Sequence, residues 1–216
     1  LIGGEDVWLA GSGWSTPCND SRCSCVPVLD TGAVHSVTAL SSTRAGHTIY
    51  AAWVNGSGEP GPSFAVGLAT SYGGTWHQIN MAGLPDRYIA GVTADPANPA
   101  HAYAVFNGYS RQWIPGGGVG HVYETWDGGA TWTDISGTLP DIASNALAIH
   151  NGRLTLATDA GVYTAAEDRG PNTGLATSWS RLGTGLPDAA VDDLTLGPDG
   201  NVYAATHGRG IWKIAF

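Results

Sequence analysis

Three aspartates make the best case for chemistry in this 216-residue chain: Asp159 in ATDAGVY, and the adjacent Asp192 and Asp193 in VDDLTL. Hydrolysis of a glycosidic bond needs two carboxyl groups facing one bond, ~5 Å apart for retention of configuration or ~6.5–9.5 Å for inversion. Asp159 with Asp192 or Asp193 is the best available catalytic pair for that work. Successive side chains of a strand point to opposite faces, so only one of Asp192 and Asp193 is expected to line a shared site. The competing reading is that these acids serve turns, where Asp is favoured for local reasons. A second set of residues suits binding. Tyr109, Arg111 and Trp113 lie in the glycine-rich insertion NGYSRQWIPGGGVG (107–120), and His35, Arg87, Tyr88, Asn145, His207 and Arg209 are expected near it. Rings in such a loop can stack on a sugar while Arg111 donates hydrogen bonds. Trp113 could equally anchor its loop on a neighbour. No Ser-His-Asp spacing, phosphate loop or nucleotide fingerprint is present, and no cofactor is implied.

The elements that would position these residues are strands. Gly at 32, Pro at 12, only 12% charged residues and recurrent short runs of Val, Thr, Tyr and Trp favour many strands joined by tight turns. No segment reads as an amphipathic helix. The length suffices for one domain burying roughly 70% of the surface of its unfolded chain. The net charge is −9 and Lys213 is the one lysine, so no basic stripe exists to neutralise phosphates. Nucleic acid and anionic membrane are thereby disfavoured as partners. No apolar run approaches a membrane span, and the opening LIGGEDVWLA reads as a processed or excised piece rather than a signal peptide. Cys18, Cys23 and Cys25 crowd into PCNDSRCSC. A disulfide from Cys18 to Cys23 or Cys25 in an exported loop is expected; a metal site would need a fourth ligand, and none is assigned. The sequons at Asn19 and Asn55 also suit an exported chain.

Alignment on the tryptophans reveals a repeat. LATSYGGTWHQINMAGLPD (68–86), YETWDGGATWTDISGTLPD (123–141) and SWSRLGTGLPD (178–188) each carry a Trp, a short strand and Leu-Pro-Asp. The period is near fifty residues. Each unit reads as four short strands, which stack radially as blades of a propeller. Thr125, Asp127, Gly129, Thr131 and Trp132 match a Ser/Thr-x-Asp-x-Gly-x-Thr-Trp box. The chain resembles the Asp-box, or bacterial neuraminidase repeat, propellers, which include xyloglucanase-type glycoside hydrolases and sortilin-type receptors. One box departs, with Ser71 where Asp is expected, and another is interrupted before Trp179.

The resemblance implies an all-β propeller of four-stranded antiparallel blades, here about four blades from the C-terminal part of a larger ring. A partial blade would occupy 1–33, full blades about 34–86, 87–141 and 142–188, and a closing partial blade 189–216. It implies that Asp127 belongs to a turn between third and fourth strands, that Trp76, Trp132 and Trp179 pack between blades, and that ligands bind on the opposite face. Two insertions fall there, 55–63 and 107–120. An incomplete ring would associate with further blades, in a companion fragment or another copy. The expected function is an exported module binding a carbohydrate or protein ligand on its loop face. The alternative is part of a xyloglucanase-like hydrolase using the paired carboxylates. A sialidase is disfavoured, since no Arg-Ile-Pro motif is present.

Overall fold

The computed structural model describes residues 2–3, 7–9, 26–29, 35–43, 48–55, 66–109, 120–167, 170 and 177–214. Its strands group into successive antiparallel sheets. The first holds β1 (Ile2–Gly3), β2 (Val7–Leu9) and β3 (Val26–Leu29). Blade 1 holds β4 (His35–Ser42), β5 (Ile49–Asn55), β6 (Val66–Thr70) and β7 (His77–Gln78). Blade 2 holds β8 (Ile89–Ala94), β9 (Ala102–Phe106), β10 (Val122–Thr125) and β11 (Thr133–Asp134). Blade 3 holds β12 (Ser144–His150), β13 (Arg153–Thr158), β14 (Gly161–Ala166) and β15 (Ser180–Arg181). Blade 4 holds β16 (Val191–Leu196), β17 (Val202–Thr206) and β18 (Gly210–Ile214). In every sheet the strands lie side by side in chain order, the meander of a propeller blade. Among the described residues the only helical piece is a 3₁₀ turn, Tyr72–Gly74.

The core sits between blades rather than within one. In β9, Ala102, Ala104 and Phe106 face blade 1, while Tyr103 and Val105 face blade 3. The period of two therefore writes one strand into two interfaces, and all five residues are buried. Leu154 and Leu156 of β13 join the cluster with blade 2, and Ala157 joins the cluster with blade 4. The innermost strands β4, β8, β12 and β16 are tied around the axis by side-chain bonds. Ser41 Oγ accepts the Ala94 N–H at 2.9 Å, Thr93 Oγ1 donates to the Leu147 carbonyl at 2.8 Å, and Asn145 Nδ2 donates to the Val191 carbonyl at 2.9 Å.

The turn at 125–132 bonds itself. Thr131 donates to Asp127 through its N–H (2.8 Å) and its hydroxyl (2.6 Å), Thr125 Oγ1 donates to Asp127 at 2.8 Å, and the Gly129 N–H donates to Thr125 Oγ1 at 2.9 Å. These bonds, Thr131 foremost, outweigh partial burial and hold the Asp127 carboxyl below its ordinary range. Gly128 and Gly129 have φ of 72° and 95°, and a Cβ on either would strike Tyr72 or Ile79 of blade 1. Ser71 works differently from Asp127: its Oγ accepts the Ile49 N–H at 2.9 Å, joining two strands of its own blade. Asp127→Ala should cost ~1–3 kcal/mol by removing three turn bonds. A thermal melt checks this, and ligand affinity should stay unchanged.

Candidate functional site

Connections from second to third strands, and crossings between blades, all fall on the face opposite the 126–132 turn. The innermost strands enclose a cavity of ≈ 460 Å³, walled by residues 39–41, 90–93, 145–147 and 192–194. Each innermost strand carries a bulge at its entry to this wall: the register with the second strand skips between Val37 and Ala39, Ile89 and Gly91, Ser144 and Ala146, and Val191 and Asp193. The bulge between Val191 and Asp193 interrupts the regular alternation on which the expectation for Asp192 and Asp193 rests. Residues 192 and 193 both contribute atoms to the cavity wall, as do consecutive residues of each innermost strand.

Asn145 is the hub of this face. Its Nδ2 donates to Asp159 Oδ1 at 3.1 Å as well as to Val191, and its Oδ1 accepts from Asn107 Nδ2 at 2.5 Å. One amide thus joins the 107–120 insertion of blade 2, the β13–β14 turn of blade 3 and the innermost strand of blade 4. Asp192 lies 3.7 Å from His207 Nδ1 with both side chains largely exposed. Asp193 accepts its neighbour Leu194 N–H at 2.8 Å. His207 and Arg209 occupy the exposed turn between β17 and β18, where the Arg209 carbonyl accepts Trp212 Nε1–H at 2.9 Å. Tyr88 and Tyr109, in the connections on this face, are 43% and 42% exposed. His35 opens β4 opposite Asn55. Arg111, Trp113 and the three cysteines lie outside the described residues.

This arrangement is a β-propeller. A xyloglucanase from Xanthomonas campestris matches with a TM-score of 0.56 and 13% identity, over 82% of this chain and 29% of that one. The extracellular domain of BT4673, a putative one-component system from B. thetaiotaomicron, matches at 0.54 and 14%, over 83% and 21%. A chain of a nidogen–laminin complex matches at 0.58 and 11%, over 94% and 68%. Such low identity establishes a common fold and nothing finer. The chain spans under a third of the xyloglucanase's length. No family model matches it, and no curated protein does. Among the described residues no helix is long and apolar enough to cross a membrane.

Arg87 departs from its expected place among exposed ligand donors. It is 5% exposed, and its guanidinium donates to the carbonyls of Gly108 (3.3 Å) and Gly120, the two ends of the insertion. Its two terminal nitrogens serve the protein itself, while its buried Nε has no partner. A Cβ on Gly120 would meet the Tyr123 hydroxyl, so a larger residue there would displace that ring. Behind this clamp His121 is wholly buried, with Nε2 3.0 Å from Asp141 Oδ1. Burial and then the Arg87 charge push its pKa down. The unfolded state therefore takes up a proton first as pH falls below about 6.5, where a free imidazole titrates. The stabilising contribution of neutral His121 is complete above that pH and is lost progressively as pH falls through the folded-state value. Buried His101, raised against its burial by Glu124 and Asp95, changes stability in the opposite sense, so the loss is read from urea midpoints between about pH 8 and pH 5 as the difference between the wild type and His121→Gln, which should shrink toward acid.

A second polar cluster, unanticipated from the sequence, lies on the turn face between blades 2 and 3. His101, wholly buried, has Nδ1 2.9 Å from Asp95 Oδ2 and Nε2 2.8 Å from Glu124 Oε1. Trp126 stacks on its ring at 3.7 Å and 12°. Asp95 and His101 meet because ADPANPAH folds back on itself: Asp95 accepts the Ala97 N–H at 2.7 Å, and the Asp95 N–H donates to the His101 carbonyl at 3.0 Å. A histidine heading the apolar run AYAVF was the available signal.

Proposed function

We propose that the chain is an exported binding module that takes a neutral carbohydrate at the loop-face mouth of its central cavity. The observation that carries this reading is the cavity wall itself. Asn145, Asp192 and Asp193 converge on it while Asp159 stands one hydrogen bond away. Carboxylates and amides accept hydrogen bonds from sugar hydroxyls, and the exposed rings of Tyr88 and Tyr109 offer apolar platforms at the rim. The net charge of −9 and the aspartates in the wall disfavour an acidic glycan. The opposite face has its turn acid, Asp127, occupied by its own turn. Export accords with the extracellular BT4673 domain of like fold.

A glycan array followed by calorimetry tests the reading, with an assay for released reducing ends run beside it. Saturable binding without turnover is expected. Tyr109→Ala should weaken it roughly tenfold while leaving the melt unchanged, as for a rim contact made by stacking. Hydrolysis abolished by Asp192→Asn would replace this reading with the hydrolase.

A further inference from the structure

The cluster between blades 2 and 3 contains more than a bridged histidine. Asp95, His101 and Glu167 each present a ligand atom, all within 4.8 Å of one another. Asp95 and His101 belong to the β8–β9 turn of blade 2, whereas Glu167 follows β14 of blade 3, where its N–H donates to the Gly152 carbonyl at 2.9 Å. Tyr103 lies against the same cluster. Its side chain is wholly buried, its hydroxyl makes no aligned hydrogen bond, and its ring lies 4.8 Å from that of His101. Glu124 is within reach of this hydroxyl but not well aligned with it, and a buried hydroxyl without a well-aligned bond is costly, which favours a further group in that space.

We infer that Asp95, His101 and Glu167 form a divalent transition-metal site, of the zinc type, that staples blade 2 to blade 3 on the turn face. The chemistry of each neighbour fits. A metal-bound imidazole characteristically donates its other N–H to a carboxylate, and Glu124 stands 2.8 Å from Nε2 to receive it, which leaves Nδ1 as the ligand beside Asp95. Trp126, stacked flat on the ring, fixes its plane. One nitrogen and two carboxylate oxygens suit zinc better than calcium, which takes six or more oxygens. Ligand atoms around zinc stand roughly 3.0–3.5 Å apart, so Glu167 must swing inward by about 1.5 Å on its flexible stem. Water or the Tyr103 hydroxyl would complete the coordination. The ion's role is structural, since its ligands come from two blades and lie opposite the mouth of the cavity.

The test is a calorimetric titration of Zn²⁺ alone into the untagged chain after treatment with EDTA and alkylation of free thiols, so that Cys18, Cys23 and Cys25 cannot produce the signal. One ion per chain and a melting temperature that climbs with Zn²⁺ concentration are expected. Asp95→Asn and Glu167→Gln should each weaken binding at least about tenfold, and Glu124→Gln about 10- to 100-fold through the imidazole. Ca²⁺ should bind far more weakly. Glu167 is part-exposed, so Glu167→Gln should fold, and the melt of each metal-free variant verifies this. Absence of saturable binding in the wild-type chain, or an unchanged affinity in folded Glu167→Gln, would overturn the site.

Discussion

Trp179→Ala should lower the unfolding free energy by ~3–5 kcal/mol, the range for removing a large buried aromatic side chain. Trp179 belongs to blade 3 but is buried against Ile135 and Leu139 of the segment leaving blade 2. Its indole N–H donates to the Ile135 carbonyl at 2.9 Å, and its backbone N–H donates to Thr138 Oγ1 at 2.8 Å. Alanine keeps the backbone bond, loses the indole bond and opens a cavity whose walls are strands of two sheets. Those walls cannot collapse without shifting a whole blade. The urea midpoint should fall with its slope unchanged. Trp132 provides the internal comparison: it packs against the cluster of blades 1 and 2, but only in part, and its Nε1 has no partner. Trp132→Ala should therefore cost less than Trp179→Ala. Equal losses, or a loss below about 1 kcal/mol for Trp179, would show that the interblade contact does not carry the stability assigned to it.

That contact was legible because it is written locally and repeated. A Trp about seven residues before Leu-Pro-Asp recurs at Trp76, Trp132 and Trp179, and repetition at a fixed spacing signals scaffold. The turn role of Asp127 was legible for the same reason, since all its partners lie within four residues. The site was legible only as a face. Strand order alone places Asp159, Asp192, His207 and Tyr109 at one end of the blades, but the bulge between Val191 and Asp193 depends on pairing with β17. Pairing is a tertiary fact that the period of two cannot supply. The Asp95–His101–Glu124 group was missed because Glu124 lies 23 residues beyond His101 and is adjacent to it only once β9 and β10 pair.

Arg87 shows the same limit and leads to the second large effect. An arginine just before a strand on the loop face reads as a ligand donor. Its acceptors are the carbonyls of Gly108 and Gly120, 21 and 33 residues away. Arg87→Ala would leave the buried Gly120 carbonyl unsatisfied and the part-buried Gly108 carbonyl to water, so a loss of ~1–3 kcal/mol is expected, added to the packing lost with the buried side chain. Arg87→Lys should recover less than half of it, since a single ammonium cannot span two carbonyls as the planar fork does. His121 gives a separate readout. The Arg87 charge is one cause of its lowered pKa, so in Arg87→Ala the acid loss of stability should begin at the same pH but end higher and be smaller. A double-mutant cycle of Arg87→Ala with His121→Gln should show non-zero coupling. Carbohydrate binding should weaken as well, because Tyr109 sits next to Gly108 and loses its fixed base. The decisive comparison is between stability and affinity in Arg87→Lys. If that variant is as stable as the wild type yet no longer binds, Arg87 acts on the ligand, and the clamp described here is not its function.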